Sequence, residues 1–186
     1  MSDKAQRWIE AGLNELAGGG VDAVRVEVLA DRLGVTKGGF YRQFKDRRAL
    51  LEAILDAWVR GRSEAIENEI RRGGGTARKR LKSLVRLYFE RVSVKGMSIE
   101  LAVRQWARTD SAAAEAAARV DAARLRSGAA LYRELGFAAE EAQARAVLLY
   151  AFLFGQSLLF LDQAPRKRIS LNAAANILME IHAEHS

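Results

Sequence analysis

Five basic side chains lie between Lys37 and Arg48, within the stretch GVTKGGFYRQFKDRRALL that runs from residue 34 to residue 51. Ammonium and guanidinium groups bind phosphate oxygens through charge-assisted hydrogen bonds. Arg47 and Arg48 stand at the expected start of a helix, where the helix dipole and the backbone N–H groups also attract anions. An isolated pair of arginines would indicate no more than a solvated surface, but five cations this close together predict a phosphate-binding surface.

Two short helices joined by the turn Gly34-Val35-Thr36 must position these cations. The first helix is predicted over about 27–33, and Gly34 lies just past its end, where a left-handed backbone costs glycine little. Thr36 is a good N-cap for the second helix, and Phe40 and Phe44, four residues apart, form its inward face. This pattern is typical of a helix-turn-helix, whose second helix enters the major groove of DNA.

Two adjacent glycines, Gly38 and Gly39, fall inside this second helix. Each glycine in a helix interior costs about 1 kcal/mol relative to alanine, so the pair needs a compensating reason. A glycine is favoured where a Cβ would collide with a neighbour. For Gly38 that neighbour could be the preceding helix or DNA, and both explanations stay open. For Gly39 we favour a close approach to DNA.

The rest of the chain is also predicted to be helical. Pro165 is the only proline among 186 residues, and alanine, leucine, glutamate and arginine, which favour helices, are abundant. The fold class is therefore all-α. Ser2 or Asp3 caps a first helix that the glycines at 18–20 end, and Asp46 caps a long fourth helix that ends at a glycine linker over 73–75. Further helices are predicted over about 77–95, 98–108, 111–135, 138–162 and 167–184.

Composition excludes several classes of function. The chain has no cysteine, so disulfides, thiolate catalysis and zinc–cysteine sites are ruled out. The net charge of +7 favours an anionic partner. The first twenty residues lack the apolar core of a signal peptide, so a cytoplasmic location is expected. The apolar run at 146–161 is shorter than a membrane span and is predicted to be a buried helix, so no membrane partner is expected.

An enzyme is the main alternative class, and the sequence offers little for it. The glycine triplets lack the lysine and hydroxyl residue of a phosphate loop, and no nucleophile-elbow motif is present. His182, Glu184 and His185 near the C-terminal end are poor candidates for a metal site. We therefore predict no catalytic residues, no metal and no cofactor.

Residues 24–55, VRVEVLADRLGVTKGGFYRQFKDRRALLEAIL, resemble the DNA-binding domain of the tetracycline-repressor (TetR) family of bacterial transcription regulators. The features that carry the resemblance appear in family order. They are Leu29-Ala30, Leu33-Gly34-Val35, Thr36-Lys37-Gly38, Phe40-Tyr41 followed by Phe44, and Leu50-Leu51. Two positions depart from the common pattern: Gly39, where alanine, serine or threonine is frequent, and Gln43, where histidine is frequent. These departures concern the operator sequence, not DNA binding itself.

The resemblance implies a homodimer that binds a palindromic operator and represses transcription until a small-molecule effector releases it. It implies that Tyr41 contacts phosphate and that Arg47 lies near the DNA backbone. Gln43 could read an adenine edge through both atoms of its amide. The predicted DNA-binding residues are Arg25, Val26, Thr36, Lys37, Gly38, Gly39, Tyr41, Arg42, Gln43, Lys45 and Arg47.

The resemblance also divides the chain and places two further sites. The implied domains are a DNA-binding domain over 1–46, a connecting fourth helix over 47–72 and an effector-binding and dimerisation domain over 76–186. The candidate effector pocket, expected to be mostly apolar, comprises Tyr88, Phe89, Met97, Trp106, Tyr132 and Tyr150. The implied dimer interface comprises Phe152, Gly155, Leu159, Ile177 and Ile181.

Two alternative functions of a DNA-binding protein stay open. A dimeric regulator without an effector would share every feature above. A non-specific basic DNA-binding protein is less favoured, because residues 1–60 contain ten Lys/Arg and nine Asp/Glu and so carry a net charge of only +1. Such a balance favours a localised basic surface and sequence-specific binding.

Overall fold

A computed structural model describes residues 2–87 and 94–159, together with Ala173 and Ile177. Within these residues the chain is all-α, as predicted, with one short 3-10 turn at Val21–Ala23 and no strand. The helices are α1 (Asp3–Gly19), α2 (Val26–Leu33), α3 (Lys37–Tyr41), α4 (Arg47–Gly73), α5 (Ala77–Arg86), α6 (Val94–Trp106), α7 (Ser111–Glu134) and α8 (Ala139–Leu159).

The helix boundaries follow the capping residues. Ser2 Oγ accepts the Ala5 N–H at 3.1 Å at the start of α1, and Asp46 Oδ1 accepts the Ala49 N–H at 2.8 Å at the start of α4. Gly34 ends α2 in the left-handed region, with φ of 64°. The predicted helix over 77–95 is wrong at its end, because residues 94 and 95 begin α6. The helix predicted over 167–184 lies outside the continuously described ranges.

The chain forms two compact units. The first unit comprises residues 1–62 and 93–120, and its core holds α3 in place. Phe40 is fully buried there, with its ring 5.2 Å from Trp8 in an edge contact and 5.6 Å from Phe44 in a stacked one. Burial of one such aromatic side chain contributes about 1.5–3 kcal/mol, so Phe40 is the main anchor of this five-residue helix.

The second unit comprises residues 63–92 and 121–186. In α8, Ala146, Leu149 and Leu153 are buried at helical spacing. Gly128 allows α7 and α8 to approach closely, because a Cβ there would lie 3.2 Å from Ala146 Cβ and from the Tyr150 ring. The boundary between the units falls inside α4 and inside α7. This division differs from the predicted domains over 1–46, 47–72 and 76–186, which stay a prediction.

The long apolar helix α8 has two apolar faces. The chain buries the face described above, whereas Val147 and Leu148 are 47% and 58% exposed. The described part of the chain therefore does not bury α8 on all sides, although the sequence predicted such burial. None of the described helices is long and apolar enough to cross a membrane.

Candidate nucleic-acid interface

The short helix α3 presents a polar surface opposite its buried aromatic anchor. Lys37, Tyr41 and Arg42 are exposed, and the Tyr41 side chain is 62% exposed. The Tyr41 ring rests edge-on against Phe40, with centroids 5.2 Å apart. The core thus fixes the direction of an aromatic hydroxyl group that points into solvent.

The two glycines of α3 have no packing reason within the described part of the chain. A Cβ at Gly38 would meet Thr36 Oγ1 at 3.6 Å, and one at Gly39 would meet Val35 Cβ at 3.9 Å, both ordinary contacts. Neither glycine has a positive φ. By contrast, a Cβ at Gly12 would lie 2.4 Å from Ile54 Cδ1. The structure removes close packing against α2 as the explanation for Gly38, and a close approach to DNA stays a prediction.

The basic side chains of the predicted DNA-binding set differ in whether they are already paired with a carboxylate of the protein. Lys37 Nζ lies 2.8 Å from Glu27 Oε1, and this hydrogen bond lowers the pKa of the Glu27 carboxyl. Arg25, Arg42 and Lys45 are exposed, and none has a carboxylate within 4.0 Å among the described residues. These three side chains therefore retain the capacity to pair with phosphate.

Arg47 makes contacts that the sequence did not indicate. Its Nε donates to the Val24 carbonyl and its Nη2 to the Val21 carbonyl, both at 2.6 Å. The neighbouring Arg48 pairs with Glu52 at 3.0 Å. The Arg47 side chain therefore joins the start of α4 to the turn before α2, and the predicted phosphate contact at this helix start stays a prediction.

Val26 and Thr36 of the predicted set differ in exposure. The Val26 side chain is only 8% exposed and belongs to the core of the first unit, and the predicted DNA contact at this position stays a prediction. Thr36 occupies the N-cap position of α3, but its side chain makes no capping hydrogen bond. The Thr36 side chain is exposed and remains available to a partner.

Gln43 is half-buried and is joined to the start of α1. The Ser2 hydroxyl accepts the Ala5 N–H, and it donates its proton to Gln43 Oε1 at 2.7 Å. The Ser2 hydroxyl takes up one of the two lone pairs of Gln43 Oε1, so this oxygen and the NH₂ group can each still form a hydrogen bond with a partner. The predicted bidentate contact of Gln43 with adenine stays a prediction.

The structure adds two residues that sequence reasoning missed. Lys4 and Arg7 of α1 line a cavity of about 400 Å³ together with Arg42 and Gln43. Their spacing of three residues placed them on one face of α1, but no sequence signal placed that face beside α3.

The predicted effector and dimer residues fall in different parts of the molecule. Tyr88, Phe89 and Ile181 lie outside the described residues. Met97 and Trp106 are buried in the first unit, whereas Tyr132 and Tyr150 share the core of the second, where burial raises the pKa of Tyr132. Of the dimer set, Phe152 and Gly155 are half-buried, Leu159 ends α8 and Ile177 is 66% exposed.

A helix-turn-helix with an exposed, basic second helix defines the chain as a DNA-binding protein. Residues 9–54 match the model of the bacterial regulatory proteins of the tetR family. Residues 9–54 therefore form the DNA-binding domain of the TetR family of transcriptional regulators, as the resemblance predicted. No protein of curated function matches the chain in sequence.

Solved structures share the fold over nearly the whole chain. A protein from Rhodococcus sp. described as a TetR-family transcriptional regulator is 25% identical, with a TM-score of 0.71 over 97% of this chain and 100% of its own. A transcriptional regulator from Pseudomonas aeruginosa PAO1 is 22% identical, with a TM-score of 0.76 over 94% and 89%. The fatty acid degradation regulator FadR from Bacillus halodurans is 16% identical, with a TM-score of 0.74 over 100% and 99%. The last two show the fold alone.

Proposed function

We propose that the chain is a homodimeric, sequence-specific repressor that binds a palindromic operator through α3 and is released by a small, mostly apolar effector. One observation supports DNA binding by α3. Tyr41 and Arg42 are exposed beside Gly38 and Gly39, and no packing contact among the described residues requires glycine at either position. A helix surface without Cβ atoms can lie close to base edges or to the sugar-phosphate backbone. The neighbouring phenol and guanidinium can then bind phosphate oxygens.

The distribution of charge supports sequence-specific binding over bulk coating of DNA. Residues 1–60 carry a net charge of only +1, and several of their cations are paired inside the protein. Arg32 pairs with Glu15 at 2.7 Å and Arg48 with Glu52 at 3.0 Å. Arg42 and Lys45, two exposed cations without a carboxylate partner among the described residues, follow directly after α3. Basic charge is therefore available where the recognition helix would meet DNA.

The exposed face of α8 supports the homodimer. Val147 and Leu148 expose large apolar side chains, and Ala151 continues the same face at helical spacing. A second copy of the chain would remove this apolar surface from water. A two-fold dimer would also place two α3 helices on half-sites about 34–36 Å apart, which is the spacing that a palindrome requires.

A buried ionic link between α4 and α6 supports regulation by an effector. Glu100 of α6 is only 1% exposed, lies 2.9 Å from Arg104 Nη2 and lies 3.6 Å from Arg62 Nε of α4. Arg62 Nη2 also donates to the Gly96 carbonyl at 2.7 Å. Because removing one partner of a buried ion pair is costly, a shift of α6 would carry α4 with it.

Effector binding would change the separation of the two α3 helices in the dimer, and this change would release the operator. Effector and operator must then weaken each other's binding by the same factor.

The alternative is a dimeric regulator without an effector. A thermal-shift screen of small molecules discriminates the two, because a compound that binds the folded state raises its melting temperature. An effector that leaves operator affinity unchanged would overturn the proposed coupling.

The first test is a fluorescence-anisotropy titration at near-physiological salt. It compares the DNA upstream of the protein's own gene with a scrambled duplex, using the wild-type chain and a Tyr41→Ala variant. Tight binding to the upstream DNA alone, weakened by Tyr41→Ala, is the expected result. Equal and weak binding to both duplexes would contradict sequence-specific recognition of this DNA.

A regulator of this kind acts in the cytoplasm and needs no catalytic site, so robust turnover in a broad substrate panel would contradict the assignment.

A further inference from the structure

The start of α1 and the recognition helix α3 enclose a groove, the α1–α3 groove, with a volume of about 400 Å³. Basic side chains stand on both walls, because α1 contributes Lys4 and Arg7 and the end of α3 contributes Arg42. Gly38 and Gly39 also border the groove, so their missing Cβ atoms widen it.

The three cations of the groove have no ion-pair partner among the described residues. Lys4, Arg7 and Arg42 are all exposed, and no carboxylate of the described residues lies within 4.0 Å of them. Glu10, one turn after Arg7, instead accepts a hydrogen bond from the Gln6 amide at 3.1 Å. Elsewhere in this part of the chain, cations such as Arg32, Lys37 and Arg48 each pair with a glutamate.

The two walls of the groove are held in register. The Ser2 hydroxyl joins the first turn of α1 to Gln43 at 2.7 Å, just after α3 ends. The Trp8 ring packs against Phe40 at 5.2 Å beneath the groove. The position of Lys4 and Arg7 relative to α3 is therefore set before any partner binds.

We propose that the α1–α3 groove binds the phosphate backbone of operator DNA, with Lys4 and Arg7 making contacts additional to those of α3. The inference rests on the proposed function, because it assumes that α3 meets DNA. Phosphate contacts fix the orientation of a protein on the duplex without reading its sequence. Lys4 and Arg7 are thus positioning residues that raise affinity for every sequence alike.

The test measures how the dissociation constant depends on salt for a Lys4→Ala/Arg7→Ala variant. Each phosphate contact contributes about 0.9 to the slope of log K against log salt concentration, so the variant should lower the slope by about 2. The same change is expected on the upstream DNA and on a scrambled duplex, and the ratio of the two affinities should stay unchanged. A slope equal to that of the wild-type chain, or an altered ratio, would overturn the proposal.

Two controls keep this result interpretable. An Arg78→Ala/Lys82→Ala variant removes the same two residue types from exposed positions on α5, and its slope should match the wild type. A Lys4→Arg/Arg7→Lys variant keeps both charges and should retain the full slope, whereas a reduced slope would contradict phosphate binding by these side chains. If the wild-type chain binds neither duplex, the proposed function itself fails. If the wild-type chain binds DNA and the Lys4→Ala/Arg7→Ala variant has the same salt slope, only the proposed phosphate binding by the groove is refuted.

Discussion

The exposed surfaces of α3 and α8 contrast sharply in chemistry. The first presents a phenol, a guanidinium and two glycines above a buried aromatic anchor. The second presents Val147 and Leu148 on a helix whose opposite face is already buried. A polar surface without side-chain bulk suits a charged, grooved partner, whereas an apolar face suits a partner that is apolar as well. The same chain thus exposes two surfaces suited to two different partners.

The largest expected difference between the two surfaces is the effect of salt concentration on binding at each of them. Raising the salt concentration from 50 to 200 mM should weaken operator binding on the order of 10³-fold, because phosphate contacts release counterions. The dimer should hold or tighten, since burial of apolar surface does not depend on charge screening. Anisotropy measures the first effect and analytical ultracentrifugation the second. A dimer that dissociates as salt rises would show that the α8 face is not the interface.

A Leu148→Asp substitution should disrupt the apolar surface. A carboxylate left unpaired in an apolar interface costs about 3 kcal/mol or more, so dimer affinity should fall on the order of a hundredfold. Analytical ultracentrifugation measures the dissociation constant. The matched control is Ala114→Asp, which places the same charge at an exposed position on α7 in the first unit. Equal dimer affinity in both variants would contradict the assignment of this face.

A Tyr41→Phe substitution tests the polar surface more finely. It removes only the hydroxyl, and the loss of one hydrogen bond to phosphate should weaken operator binding by about tenfold or less. The ring contact with Phe40 is retained, so the melting temperature should not change. Anisotropy and a thermal melt check both expectations. Unchanged operator affinity would show that the phenol does not contact DNA.

The smallest effect is expected for a substitution of Gly39, which should raise the stability of the protein and lower its affinity for the operator. A Gly39→Ala substitution has room in the protein and should raise the free energy of unfolding by up to about 1 kcal/mol. The added methyl group should also weaken operator binding, because it fills space that DNA would occupy. Chemical denaturation and anisotropy measure the two quantities. A variant that gains stability and keeps its affinity would contradict close approach of DNA at this residue.

The fold and much of α3 were predictable because their signals are local. Phe40 and Phe44 lie one helical turn apart, Gly34 has the positive φ that its place after α2 implied, and Asp46 caps α4. Each of these features depends on neighbours within four or five residues. Helix ends and the inward faces of short amphipathic helices can therefore be inferred from residue type and spacing.

The sequence by itself determined an all-α chain and a helix-turn-helix of the TetR family type. The tertiary structure decided which side chains are available to a partner. Arg47 is engaged by carbonyls 23 and 26 residues away, and Ser2 holds Gln43 across 41 residues. Lys4 and Arg7 join the candidate interface only because α1 packs beside α3. Helical periodicity specifies which residues share a face, but only the packing of distant segments specifies what that face meets.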